Sequence, residues 1–310
     1  MSTRQKIIVL GGSGMLGSMV VDALSRDSDL TVTATIRNPS LLEKLRKRLP
    51  MVIWCLFDAN DRDLHSNLKV LEGQDWIVNA IGITKPLIRD DDPFEVERAI
   101  WINSLLPHVI GSKAATIGAR VLQIATDCVY SGIRGAYSET DMHDPLDVYG
   151  KTKSLGESWQ ENIHHIRCSI IGPEPKENKF LLEWFRCQPS EARINGYINH
   201  IWNGVTTLHF SKICQGIIKS NIILPHLQHV VPRDKITKAE MLRCFAQAYK
   251  RQDIMINDVE AKNVIDRTLI TNNHKLNNLL WEAAGYLQPP TVSEIIGELS
   301  HYDYRLEGLV

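Results

Sequence analysis

Short apolar runs alternate with longer amphipathic stretches through the first half of the chain. The runs cover residues 6–10, 30–36, 52–56, 76–80, 120–125 and 165–171, each too short for a helix and bounded by polar or turn residues. Between them, apolar positions recur at helical spacing over 16–25, 41–49, 94–113 and 148–162. Strands alternating with helices build a parallel sheet covered on both faces, with right-handed crossovers. The pattern therefore predicts an α/β, doubly wound Rossmann fold. After Gly172 the order degrades: proline and asparagine punctuate 173–203, a helix is predicted over 206–220, and 224–232 and 287–290 read as hinges or connections. This predicts a dinucleotide-binding domain over 1–172 with a returning segment near 204–232. Residues 173–203 and 233–310 are left to a smaller C-terminal α/β substrate lobe.

At 310 residues the chain exceeds the roughly 250 at which single cores begin to divide. Net charge is −1 with no long basic run, so the broad electrostatic footprint of a nucleic-acid binder is missing, while a site for a small anion is not excluded. The six cysteines, Cys55, Cys128, Cys168, Cys187, Cys214 and Cys244, contain no CxxC pair. They read as buried thiols in a reducing compartment, with neither a zinc site nor a disulfide scaffold. No apolar run approaches the roughly 18 residues that span a bilayer, and residues 7–10 are too short for a secretory signal. The expectation is a soluble cytoplasmic protein, without membrane or nucleic-acid partners and compatible with a homodimer. Asp90, Asp91 and Asp92 precede Pro93 and read as a helix start and solvated charge; no metal is expected.

Chemistry enters with the first run. Lys6-Ile-Ile-Val-Leu-Gly11-Gly12-Ser13-Gly14-Met15-Leu16-Gly17 breaks from a strand into glycines three apart. Gly11 permits the tight turn, Gly14 lets the backbone approach a pyrophosphate and Gly17 lets the next helix pack closely, with the phosphates on that helix's N-terminus. Gly11, Ser13, Gly14, Met15 and Leu16 would thus line a dinucleotide. The second strand ends Thr35-Ile36-Arg37-Asn38, with an arginine where an acidic residue would bind the ribose of NAD. Arg37 favours a 2'-phosphate and hence NADPH, with NADH as the alternative; a solvated loop charge is the other reading. Asp58, followed by Ala59, either accepts from the adenine amine or caps a short helix. Ala80, Ile81 and Gly82 end the fourth strand with room for the ribose and nicotinamide.

A second group lies farther on, in Ala125-Thr126-Asp127-Cys128-Val129-Tyr130 and Asp147-Val148-Tyr149-Gly150-Lys151-Thr152-Lys153. Four residues apart on a helix, Tyr149 and Lys153 share a face, so the ammonium is expected to lower the phenol pKa and make it a usable general acid. Thr126, at the carboxyl end of its strand, can donate to a carbonyl oxygen. Asn199, His200, Trp202 and Asn203 form a polar and aromatic cluster on a predicted loop, suited to a nucleotide or, equally, to packing.

These motifs, with Tyr137-Ser138-Glu139-Thr140-Asp141, Pro145-Leu146 and Gly156-Glu157, resemble the extended short-chain dehydrogenase/reductases, and within them the dTDP-4-dehydrorhamnose reductase group. The resemblance covers the first 172 residues well. It continues more loosely through Arg167-Cys168-Ser169, Asn178-Lys179-Phe180, residues 202–208 and residues 267–276. It implies a hydride passed from a reduced nicotinamide to the 4-keto carbon of a nucleotide-linked deoxysugar. Tyr149 would be the proton donor, Lys153 would hold the ribose and Thr126 would orient the carbonyl. Asp127, Asn103, Asn199 and Trp202 fall on the substrate side, Asn103 matching a family position that braces the catalytic segment.

Two departures matter. Sugar-nucleotide dehydratases of the superfamily carry Asp-Glu after the threonine; here the pair is Asp127-Cys128, which favours reduction over elimination. The reductase group carries an aromatic after Arg-x-Ser, where this chain has Ile170, so the sugar can differ. Relatives of the group serve as regulatory partners of other enzymes, and a 4-epimerase uses the same three residues, so both are alternatives.

Overall fold

In β1 (Gln5–Leu10) the residues from Ile7 to Leu10 are fully buried and alternate between two cores: Ile7 and Val9 join one, Ile8 and Leu10 the other. A strand buried on both faces belongs in the middle of a covered parallel sheet. The computed structural model describes residues 4–63, 67–175 and 180–308. Its central sheet runs β7-β6-β5-β4-β1-β2-β3, with β2 (Leu30–Ile36), β3 (Ile53–Leu56), β4 (Trp76–Asn79), β5 (Arg120–Ala125), β6 (Ile163–Arg167) and β7 (Leu227–His229). Every pairing in it is parallel. This is the doubly wound Rossmann-type α/β fold.

Helix α1 (Met15–Leu24) packs its Met19, Val20 and Leu24 into one core, where they meet Phe210, Ile213 and Ile217 from a helix near residue 210. On the opposite face lie α2's successors: α2 is Leu42–Arg48, followed by α3 (Pro93–Ala99) and α4 (Leu106–Thr116), and α4 buries Leu106, Ile110 and Ala114 against Ile77 and Val121. A π-helical stretch, Ile100–Leu105, separates α3 from α4, where the sequence predicts one continuous helix over 94–113. Asp92 caps α3 by accepting from Phe94 N at 2.9 Å.

Three predicted boundaries shift. The helix α5 (Val148–Leu155) stops at Gly156 rather than at 162, and Gly156 sits against Asn103, where a Cβ would lie 2.0 Å from the carbonyl oxygen, so only glycine fits this end of the helix. The run over 165–171 divides into β6 and a separate two-residue strand, Ile170–Ile171. Within 224–232, read as a connection, residues Leu227–His229 form β7, paired to β6.

Downstream come α6 (Leu181–Arg186), α7 (Thr207–Lys219, the helix against α1), α8 (Lys238–Ala248), α9 (His274–Ala283) and α10 (Val292–His301). Small sheets join Arg193–Tyr197 to Met255–Val259, and His200–Trp202 to Ile236–Thr237 and Ile265–Asp266. One buried cluster runs from β1 through α7 to Phe245, Trp281 and Ile295 of α8, α9 and α10. Among the described residues no helix is long and apolar enough to cross a membrane, and no group of three or more His, Cys, Asp or Glu residues is placed to hold a metal ion.

Candidate active site

From β1 the chain winds outward to β2 and β3, and from β4 it winds the other way to β5, β6 and β7. The carboxyl ends of β1 and β4 therefore splay at a topological switch point, where open parallel sheets receive ligands. Two adjoining cavities of about 570 and 330 Å³ occupy this crevice and share Ser13, Gly14, Arg37 and Gly82 as walls. The larger brings Thr126, Asp127, Tyr149 and Lys153 together with Met15, Leu16, Ala80 and Ile81. The smaller contains Gly11, Asp58 and Ala59.

The loop after β1 is pinned to β2. Gly11 has φ +82°, and its N–H donates to Thr35 Oγ1 at 3.0 Å, while Gly12 N–H donates to Thr35 O at 2.7 Å. A Cβ on Gly17 would lie 2.2 Å from Gly11 O, so only glycine lets α1 start this close to the loop. The N-cap of α1 is Gly14, which offers no side chain to the first helical amides; such amides are anion donors. Arg37 is exposed and, among the described residues, makes no ion pair. This cradle fits a dinucleotide diphosphate. Asp58 lines the smaller cavity, and its Oδ1 accepts from Asn60 N at 2.9 Å and Asn60 Nδ2 at 2.7 Å, so it also caps the turn after β3.

Thr126 directly follows β5, accepting from Cys128 N at 3.2 Å and donating to the Asp127 carboxylate at 3.2 Å. Helix α5 packs directly on this turn: a Cβ on Gly150 would lie 2.2 Å from Cys128 O. Asp147 caps α5 through Gly150 N at 2.8 Å, which sets Tyr149 in its first turn within reach of the Thr126 hydroxyl. Burial pushes the Tyr149 phenol up, the neighbouring Cys128 and Asp127 push the same way, and the Thr126 hydrogen bond opposes them. The spacing predicts a phenol lowered by Lys153, and the structure differs. The Lys153 ammonium donates to Ile124 O at 2.9 Å, and burial pulls it down to about 8 against the opposing charge of Glu157.

Behind α5 sits a fully buried arginine. Arg167 pairs with Glu157 and donates to the Tyr130 hydroxyl at 2.6 Å. It also contacts His143, whose Nδ1 lies 2.7 Å from Ser154 Oγ of α5. Burial would raise the Glu157 carboxyl, but Arg167 holds it low. Burial likewise raises the Asp127 carboxyl, with Arg267 and Lys238 opposing. The Cys128 thiol is pushed up to about 12 by burial and by Asp127, so it supplies no thiolate at neutral pH.

Three expected substrate residues lie off the cleft. Asn103 is 1% exposed, and its amide donates to Ile83 O at 2.9 Å and accepts from Ile83 N at 2.8 Å. It braces the segment after β4 and does not line either cavity. Residues 200–202 form a strand instead of a loop. Asn199 bonds both ways to Ala261, at 2.8 and 3.0 Å, and Trp202 is buried with its indole N–H on Ser169 Oγ at 2.8 Å. Trp202 therefore reaches the cleft only through Ser169, which lines it beside Ile170. Asn203 is engaged by Leu269. Asn178 and Lys179 lie outside the described residues. The sequence did not single out Arg98, Thr84 or Leu87, which also line the cleft; a lone arginine inside a helix carries no motif.

Methionine adenosyltransferase 2 subunit beta of Mus musculus is 26% identical over 258 residues, 79% of this chain and 72% of that protein. The solved dTDP-4-dehydrorhamnose reductase of Bacillus anthracis in complex with NADP has a TM-score of 0.68 at 18% identity, covering 95% of this chain and 98% of that one. UDP-glucuronic acid 4-epimerase from Bacillus cereus, in complex with UDP-glucuronic acid and NAD, has a TM-score of 0.73 at 18% identity, covering 97% and 99%. Likeness to the two solved structures is a likeness of fold. The sequence itself matches the RmlD substrate binding domain over residues 5–299, and the chain belongs to that family.

Proposed function

We propose that this chain is a sugar-nucleotide 4-ketoreductase, reducing the 4-keto group of a nucleotide-linked 6-deoxysugar with NADPH, or with NADH as the alternative donor. The observation that supports this reading is the meeting of Thr126, Tyr149 and Lys153 in one cavity with the glycine loop after β1. A reduced nicotinamide, when bound beside these residues, would supply the hydride for the carbonyl carbon. Tyr149 gives its phenolic proton to the carbonyl oxygen, completing the hydroxyl, and its raised pKa keeps that proton in place at neutral pH. Thr126 donates to the same oxygen, while Lys153 holds the cofactor ribose and, as a cation, eases the phenolate that remains. Arg37 takes the 2'-phosphate.

Cys128 stands where elimination would need a second carboxyl group, and its thiol, held protonated at neutral pH, cannot act as a base there; reduction is therefore favoured over dehydration. Ile170 gives the sugar an aliphatic wall. We assign the dinucleotide to residues 1–172 and the sugar nucleotide to 173–203 and 233–310, with the reaction in the cytoplasm, in keeping with six free cysteines. A non-catalytic subunit is the second reading, favoured by the likeness to the mouse subunit. The test is loss of absorbance at about 340 nm, the reduced-nicotinamide band, against a panel of 4-keto-6-deoxy nucleotide sugars. Turnover of one member supports the reductase. Saturable cofactor binding without turnover supports the subunit, and cofactor that stays bound through purification supports an epimerase.

A further inference from the structure

Arg98 stands in the last turn of α3, exposed, and belongs to the walls of both cavities together with Ser13 and Gly14. The charges around it are already matched. Arg89 pairs with Glu95 at 3.1 Å and with Asp92, and Arg62 pairs with Glu97 at 2.6 Å. Among the described residues Arg98 has no ion pair or hydrogen bond, and no carboxylate of its own helix is left to take it. The acidic groups of the cleft are engaged as well: Asp58 with Asn60, Asp127 with the Thr126 hydroxyl at 3.2 Å, and Glu174 with Phe180 N at 2.6 Å.

Its position is held. Gly82 packs against Asn103, where a Cβ would lie 3.5 Å from Oδ1, and Asn103 clamps Ile83 from both sides. The strand end that forms the cleft floor is thus tied to the π-helical stretch that directly follows Arg98 and the end of α3. Arg37 comes from the end of β2, where the 2' position of a ribose falls. Arg98 comes from α3 and lines both cavities, as do Ser13 and Gly14 of the loop where a dinucleotide places its diphosphate.

We propose that Arg98 is a phosphate-binding residue of this cleft, supplying a cation to the diphosphate across from the amides of the α1 N-terminus. The inference rests on the dinucleotide reading above. A guanidinium held without a partner in a phosphate site gives charge-assisted, forked hydrogen bonds.

The test is fluorescence titration of the whole chain with NADPH and NADH, using the native protein, Arg98→Ala, Arg98→Lys and Arg37→Ala. Arg98→Ala is expected to weaken both cofactors by the same factor, about tenfold for one charge-assisted bond, with partial recovery in Arg98→Lys. Arg37→Ala weakens NADPH alone. The thermal midpoint of Arg98→Ala stays near the native value, since the exposed side chain makes no ion pair or hydrogen bond among the described residues. Unchanged affinity in Arg98→Ala, or a loss confined to NADPH, overturns the diphosphate assignment while leaving the cofactor reading intact. Failure of the native chain to bind either cofactor overturns both.

Discussion

The ammonium of Lys153 donates to the carbonyl of Ile124 at 2.9 Å, two residues before Thr126 on the strand that ends at the cleft. Lys153 is thereby fixed to the sheet while it shares a helix face with Tyr149, and burial costs it basicity, bringing its pKa down to about 8. A lysine is a cation below its pKa and neutral above it. The kcat/KM of the proposed reduction should therefore fall as pH rises through about 8, well before an exposed lysine would lose its proton. A pH profile of kcat/KM checks this, and Lys153→Met should lack that alkaline limb.

The pair behind α5 sets both stability and this profile. Arg167→Met leaves Glu157 as a buried carboxylate without its partner and should destabilise the fold by about 3–5 kcal/mol. The double change Arg167→Met with Glu157→Gln should recover much of that loss, which urea unfolding of all four proteins in a mutant cycle measures. Glu157→Gln alone removes a charge that raises the Lys153 pKa, so its alkaline limb should move to lower pH.

Gly17→Ala tests the cradle. The added methyl meets the Gly11 carbonyl at 2.2 Å, and backbone must move, because no flexible side chain is there to yield. A loss of about 1–3 kcal/mol is expected from such overpacking. NADPH affinity should fall with it, since the amides of Met15 and Leu16 are displaced from the loop. Chemical unfolding and cofactor titration read the two effects separately.

The sheet was legible because the chemistry is local. Residues 6–17 carry strand, turn and helix start in twelve consecutive positions, and Gly11 and Gly17 each answer a backbone constraint that only glycine meets. The Tyr149 and Lys153 pair is legible for the same reason, as helical spacing alone aligns them. What was not legible depends on partners far along the chain. The predicted helix over 148–162 ends early, at a glycine whose close contact is with Asn103, more than fifty residues away. Leu227–His229 is too short to announce a strand and becomes one by pairing with β6. Trp202 was a candidate platform for a base until its indole met Ser169, and Arg98 carries no motif at all. The Tyr149 shift runs opposite to what helical spacing predicts because burial, a tertiary quantity, and the neighbouring Cys128 and Asp127 outweigh the Thr126 hydrogen bond.

The central claim is that Tyr149 delivers the proton to a reduced carbonyl, and the sharpest test is Tyr149→Phe in the NADPH oxidation assay with whichever keto-sugar nucleotide the native chain turns over. Removing only the hydroxyl should leave NADPH affinity near the native value and lower kcat by about 10²–10⁴-fold, the usual contribution of a general acid. Reduction at the native rate by Tyr149→Phe would contradict the assignment.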